Sequence, residues 1–72
     1  MALHWKQIGK ELVADSEYGV YKIGVLETGK IGLSLVNPQD EVLLTGVHKT
    51  IGEASERAAE DLLFRQRAWE TL

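Results

Sequence analysis

The chain contains no cysteine, and its 72 residues include only one proline, one methionine and one phenylalanine. Without thiols there is no disulfide framework and no thiolate zinc site. Two histidines, His4 and His48, are too few for a structural zinc site without carboxylate help, and neither a metal nor a cofactor is expected. Long apolar runs are missing too, so no membrane span is expected. The opening Met1-Ala2-Leu3-His4-Trp5-Lys6 lacks a basic stretch followed by an apolar one. A secretory signal is therefore not expected, and together with the missing cysteine this fits a cytoplasmic protein. Excess positive charge is also absent. The formal net charge of −3 weighs against a nucleic-acid binder, yet is too small for a mimic of DNA.

A chain of 72 residues is expected to form a single domain over 1–72, at the small end of what folds alone. A core of that size supplies only about 3–5 kcal/mol. Small scaffolds commonly add disulfides, a metal or another chain. With the first two gone, good helix packing, oligomerisation or a partner protein remains, so a homodimer is an expectation on size alone.

The pattern along the chain predicts an α+β domain: an antiparallel sheet of three to five strands, within about 5–48, packed against one C-terminal helix at about 51–71. Strands are read near 5–9 and 11–15, with Gly9-Lys10 as a turn or bulge; a helical start is the alternative, which Gly9 opposes. After the turn-like Asp15-Ser16-Glu17, residues 18–26 alternate. Tyr21, Ile23 and Val25 share one face, and Val20, Lys22 and Leu26 the other. Glu27-Thr28-Gly29-Lys30 reads as a hairpin turn. Residues 30–36 alternate again, with Ile31, Leu33 and Leu35 on one face. Asn37-Pro38-Gln39-Asp40 is the clearest turn signal. The last strand, 41–47, carries Val42, Leu43, Leu44 and Val47 and is apolar on both faces, which suggests a central position or a covered second face.

Thr50-Ile51-Gly52-Glu53 has capping-box spacing, with Glu53 placed to reach back to the Thr50 N–H. Early Glu53 and Glu56 and late Arg65 and Arg67 suit the helix dipole. Glu53–Arg57 and Asp61–Arg65 have the spacing of favourable ion pairs. Ile51, Ala54, Ala58, Leu62, Trp69 and Leu72 form one stripe, which Ala59 and Leu63 flank and widen.

No constellation of catalytic residues emerges. His48-Lys49-Thr50 precedes a helix N-terminus, where anions bind, but lacks the glycine-rich loop of phosphate sites, so an ordinary cap is expected. The glycines at 19, 24, 29, 32 and 46 match no nucleotide-loop spacing and are read as bends, bulges or close approaches. Ser16, Ser34 and Ser55 sit in no nucleophile elbow. Glu53, Glu56, Glu60 and Asp61 read as a solvated helix face. Phe64 breaks that pattern, because it lies opposite the Leu62–Trp69 stripe beside Arg57 and Glu60. An aromatic on a charged face is how a protein–protein anchor looks, so Phe64, Arg57 and Glu60 are the candidate partner-binding residues. The sheet face bearing Val20, Leu26 and Val36 with Lys22 and Ser34 is a second contact candidate.

Three strands followed by a capped, alanine-containing helix resemble, in outline over about 18–68, the later part of a double-stranded-RNA-binding domain. That family places lysines at the start of its last helix, whereas Gly52-Glu53-Ala54-Ser55-Glu56-Arg57 is acidic and would repel phosphates. Trp5, then Tyr18-Gly19-Val20-Tyr21-Lys22-Ile23, then Glu53-Ala54-Ser55-Glu56-Arg57-Ala58-Ala59-Glu60 resemble small phage and prophage orphan proteins. That resemblance implies a protein that binds and blocks host machinery, such as a defence nuclease.

The sequence thus points to a non-enzymatic protein–protein interaction module, in the manner of a phage-encoded inhibitor or modulator of a host complex. Its partner would be another protein rather than nucleic acid or membrane. The alternatives are a small nucleic-acid-binding module using Lys6, Lys10, Lys22, Lys30 and Lys49, or a structural homodimer.

Overall fold

Alternating apolar residues separated by glycine- and asparagine-containing turns produce a five-stranded antiparallel meander, and one helix closes its inner face. The computed structural model describes residues 3–70, with side-chain environments for 3–68. The elements in chain order are β1 (Lys6–Ile8), β2 (Glu11–Ser16), β3 (Gly19–Val25), β4 (Ile31–Val36), β5 (Val42–His48) and α1 (Ile51–Glu70). The strand order in the sheet is the order in the chain. The expectation that the helix runs to 71, and that Leu72 joins its stripe, lies outside the described residues, as does the side chain of Trp69.

Each turn has a local cause. Gly9, at φ 61°, occupies the first central position of the two-residue loop between Ile8 and Glu11, where a left-handed backbone is needed. Ser16 donates its hydroxyl to the Gly19 carbonyl at 2.9 Å and accepts from the Tyr18 N–H at 3.2 Å. Tyr18 therefore belongs to the turn rather than to the strand. The Asn37 side-chain oxygen accepts from the Gln39 and Glu41 N–H groups at 3.0 and 2.8 Å, holding the Pro38 turn.

The core is Ala14, Tyr21, Ile23, Ile31, Leu33, Leu35, Ala54, Ala58 and Leu62. Ala54 and Ala58 are 0% exposed, as their small size and the approach of helix to sheet require. Ile51, placed on the buried stripe from the sequence, is instead 47% exposed. It is the first helical residue, at the margin of the sheet. Leu63 and Ala59 are exposed as well and do not widen the buried arc.

Asp61, expected with Glu53, Glu56 and Glu60 on a solvated helix face, is instead turned into the domain. It is buried, and its Oδ2 accepts from the Tyr21 hydroxyl at 2.7 Å and from Arg65 Nε at 2.7 Å. The expected Asp61–Arg65 pair therefore forms, but inside the domain and not on a solvated face. Burial, then the hydrogen bond to Asp61, pushes the Tyr21 hydroxyl pKa well above its ordinary value. The same carboxylate holds the Arg65 guanidinium more firmly protonated, chiefly through its hydrogen bond.

β5 corrects the sequence reading most. Its two apolar faces suggest a central or covered strand, yet β5 is an outer edge of the sheet. Val42 and Val47 are 58% and 60% exposed. The helix supplies the apolar cover from the inner side alone, where Leu44 packs against the core.

Candidate interaction edge

Backbone phase decides which groups of β5 are free. The Leu26 N–H donates to the Lys30 carbonyl at 2.8 Å, which makes that pair hydrogen-bonded in the β3–β4 hairpin. Hydrogen-bonded pairs alternate along an antiparallel ladder. Gly32 and Ser34 therefore bond toward β3, and Ile31, Leu33 and Leu35 toward β5. Their partners on β5 are His48, Gly46 and Leu44. Thr45 and Val47 thus aim their N–H and C=O groups away from the sheet.

The helix closes this open row at both ends. Arg65 donates from Nη2 to the Leu43 carbonyl at 3.1 Å, beside the register shift in the β4–β5 ladder. At the other end, Glu53 Oε2 accepts from the Lys49 N–H at 3.1 Å. The cap therefore differs by one residue from the expected box: Thr50 Oγ1 accepts from the Glu53 N–H at 3.1 Å, but Glu53 returns to Lys49 and not to Thr50. This also leaves the expected Glu53–Arg57 ion pair unformed among the described residues. Between the two caps, Thr45 and Val47 keep an unpartnered stretch of edge.

Helical spacing brings the sequence-predicted residues to the same side. Glu53, Arg57, Glu60 and Phe64 succeed one another at three- and four-residue intervals, so they share one flank. Glu53 is fixed beside the end of β5, and Arg65, next to Phe64, reaches its beginning. The flank carrying Arg57, Glu60 and Phe64 therefore overlooks the β5 edge. These three residues line one hollow with Asp61 and Arg65, and no sheet residue contributes to it. Phe64 is 72% exposed, the most exposed of the large apolar side chains among the described residues.

The other edge of the sheet is built differently. β1 is three residues long and includes Lys6. A short, charged edge resists further pairing, whereas β5 has seven residues with no lysine, carboxylate or proline. The sequence pattern singles out the helix flank as a contact candidate and does not single out the β5 edge. The missed signal is the absence of charge in Val42-Leu43-Leu44-Thr45-Gly46-Val47-His48, which was read as burial.

A larger hollow lies on the open face of the sheet, floored by Gly24 and Gly32 and rimmed by Lys10, Glu11, Lys22 and Val47. Leu26 folds over Gly32, where a Cβ would meet its Cδ2 at 2.9 Å. Val20 pairs with Val36 and Lys22 with Ser34 on this face, as the alternation predicts. The five lysines fall into two groups. Lys10 and Lys22 rim the hollow and Lys6 lies in the same row through Val13, while Lys30 and Lys49 line a hollow with Val47, His48 and Glu53. At the latter site the Glu53 carboxylate already occupies the Lys49 N–H, so the helix start is a cap. Ser16 and Ser55 spend their hydroxyls on the Gly19 and Gly52 carbonyls.

Comparison with known proteins finds no match, whether to a family model, to a curated protein or to a solved structure. No helix among the described residues is long and apolar enough to cross a membrane.

Proposed function

We propose that this chain is a non-enzymatic protein–protein interaction module whose contact surface is the β5 edge together with the Arg57–Glu60–Phe64 flank. One observation carries the reading: a seven-residue, uncharged edge strand whose Val42 and Val47 are more than half exposed. Such an edge offers main-chain hydrogen bonds to an added strand, and its alternate side chains supply apolar contact. Phe64 adds an aromatic anchor within reach of charged neighbours, the composition expected of an interface hot spot.

A photo-crosslinking residue placed at Thr45 or at Phe64, in the source cells, tests the reading. Covalent adducts to a protein are expected from both positions and not from Glu27, in the exposed β3–β4 turn. Adducts from Glu27 alone, or from none of the three, would overturn it.

A further inference from the structure

We infer that the occupant of this edge is a second copy of the chain, joined by antiparallel β5–β5 pairing about a two-fold axis through Gly46. The inference rests on the interaction reading above and names its partner. The free groups of the edge select the register. Thr45 and Val47 each present one donor and one acceptor outward, while the Leu43 carbonyl is held by Arg65 and the Lys49 N–H by Glu53. A two-fold centred on Gly46 pairs Thr45 of each copy with Val47 of the other and uses all the free groups of both. An axis through Thr45 would need the Leu43 carbonyl, and one through Val47 would need the Lys49 N–H. Both displace a cap. Gly46 then meets its own counterpart in a non-hydrogen-bonded pair, where backbones lie closest, at about 4.5 Å between Cα atoms. Glycine presents no side chain there.

Charge complementarity favours the same axis. A two-fold perpendicular to the sheet keeps both helices on one face, side by side and antiparallel. The helix from Glu53 to Arg65 rises about 18 Å, and the strand from Lys49 to Leu43 spans about 20 Å. The two therefore run alongside with a common midpoint near Gly46 and Ala59. Rotated about that axis, Arg57 of one copy comes within one residue's rise, ~1.5 Å along the helix, of Glu60 of the other, twice in the dimer, with the two Glu60 carboxylates lying between the two arginines. Phe64 comes opposite the first turn of the facing helix. No like charges oppose one another along the paired strands, because β5 carries none.

Sedimentation equilibrium of the purified full chain, over micromolar to millimolar concentration, tests the inference. The expected result is a reversible monomer–dimer equilibrium. Val47→Lys, Arg57→Glu and Glu60→Arg should each weaken it at least tenfold, and the double reversal Arg57→Glu/Glu60→Arg should restore it. All three positions are exposed, and thermal unfolding of each variant verifies that the fold is kept. A chain that is monomeric throughout, or a dimer indifferent to Val47→Lys and to the charge reversals, overturns it. Crosslinking at Thr45 and Phe64 to a different protein would in that case still sustain the interaction module, so the two proposals fail separately.

Discussion

Arg65 donates to the Leu43 carbonyl at 3.1 Å across 22 residues of sequence, while its Nε holds Asp61 Oδ2 at 2.7 Å. One side chain thereby links a buried carboxylate to the rim of the sheet. Since the same carboxylate accepts from Tyr21 on β3, the helix is tied to a central strand and to the outer one at once.

Asp61→Ala should therefore be costly. It strands the buried Tyr21 hydroxyl and releases Arg65, a loss of about 3 kcal/mol. Asp61→Asn keeps an acceptor for Tyr21 but not the charge-assisted bond to Arg65, and should lose less. Urea unfolding of the two variants checks the order. Equal stability of Asp61→Ala and the wild type would show that the cluster contributes nothing.

Alkaline pH should loosen the domain through Tyr21. Its folded pKa lies above its unfolded value near 10, so the unfolded chain gives up the proton first. Above that pH the folded state binds more protons, and stability declines as pH rises, by up to about 1.4 kcal/mol per pH unit from this group. Below it, the contribution is fully present. Unfolding free energies measured from pH 8 to 11 should fall, and Tyr21→Phe should flatten the upper part of that slope.

Gly19 should resist replacement. Its φ is 144°, and a Cβ would collide with the Val36 carbonyl. Gly19→Ala combines backbone strain of about 1–3 kcal/mol with that clash. Gly9→Ala and Gly29→Ala meet open space and carry strain alone, so both should destabilise less. Thermal melts of the three variants give the ranking directly.

Nucleic acid should not bind. The lysines divide between two regions, and Glu11 and Glu53 stand among them. A shift assay at low salt with single- and double-stranded RNA and DNA is expected to show no complex, because phosphate neutralisation needs a convergent basic surface. A salt-dependent shift abolished by Lys6→Ala/Lys22→Ala would reverse that expectation.

Much of the fold was legible because period and turn chemistry agree. The alternation of Tyr21, Ile23, Ile31, Leu33 and Leu35 gives the central strands, and Asn37-Pro38 gives the turn into β5. The helix start follows from Thr50 and Glu53. Two features escaped for opposite reasons. Asp61 reads as surface because carboxylates usually are, and its burial is tolerable because Arg65 pairs with it and Tyr21 reaches it from β3. β5 reads as interior because apolar strands usually are, and only the strand order reveals its outer position. Of the candidate site, Phe64, Arg57 and Glu60 were legible from the helical period alone. Their relation to the β5 edge depends on bonds made by Glu53 and Arg65, which no local pattern encodes.

Hydrogen exchange of the β5 amides, followed residue by residue at two protein concentrations, tests the proposed edge most directly. At low concentration Leu44, Gly46 and His48, bonded to β4, should exchange slowly, and Thr45 and Val47 should exchange fast. At a concentration that fills the edge, Thr45 and Val47 should slow to the rate of their neighbours while Gly46 changes little. If Thr45 and Val47 exchange at their dilute rates in the concentrated sample, β5 pairs with no second copy and the account is contradicted.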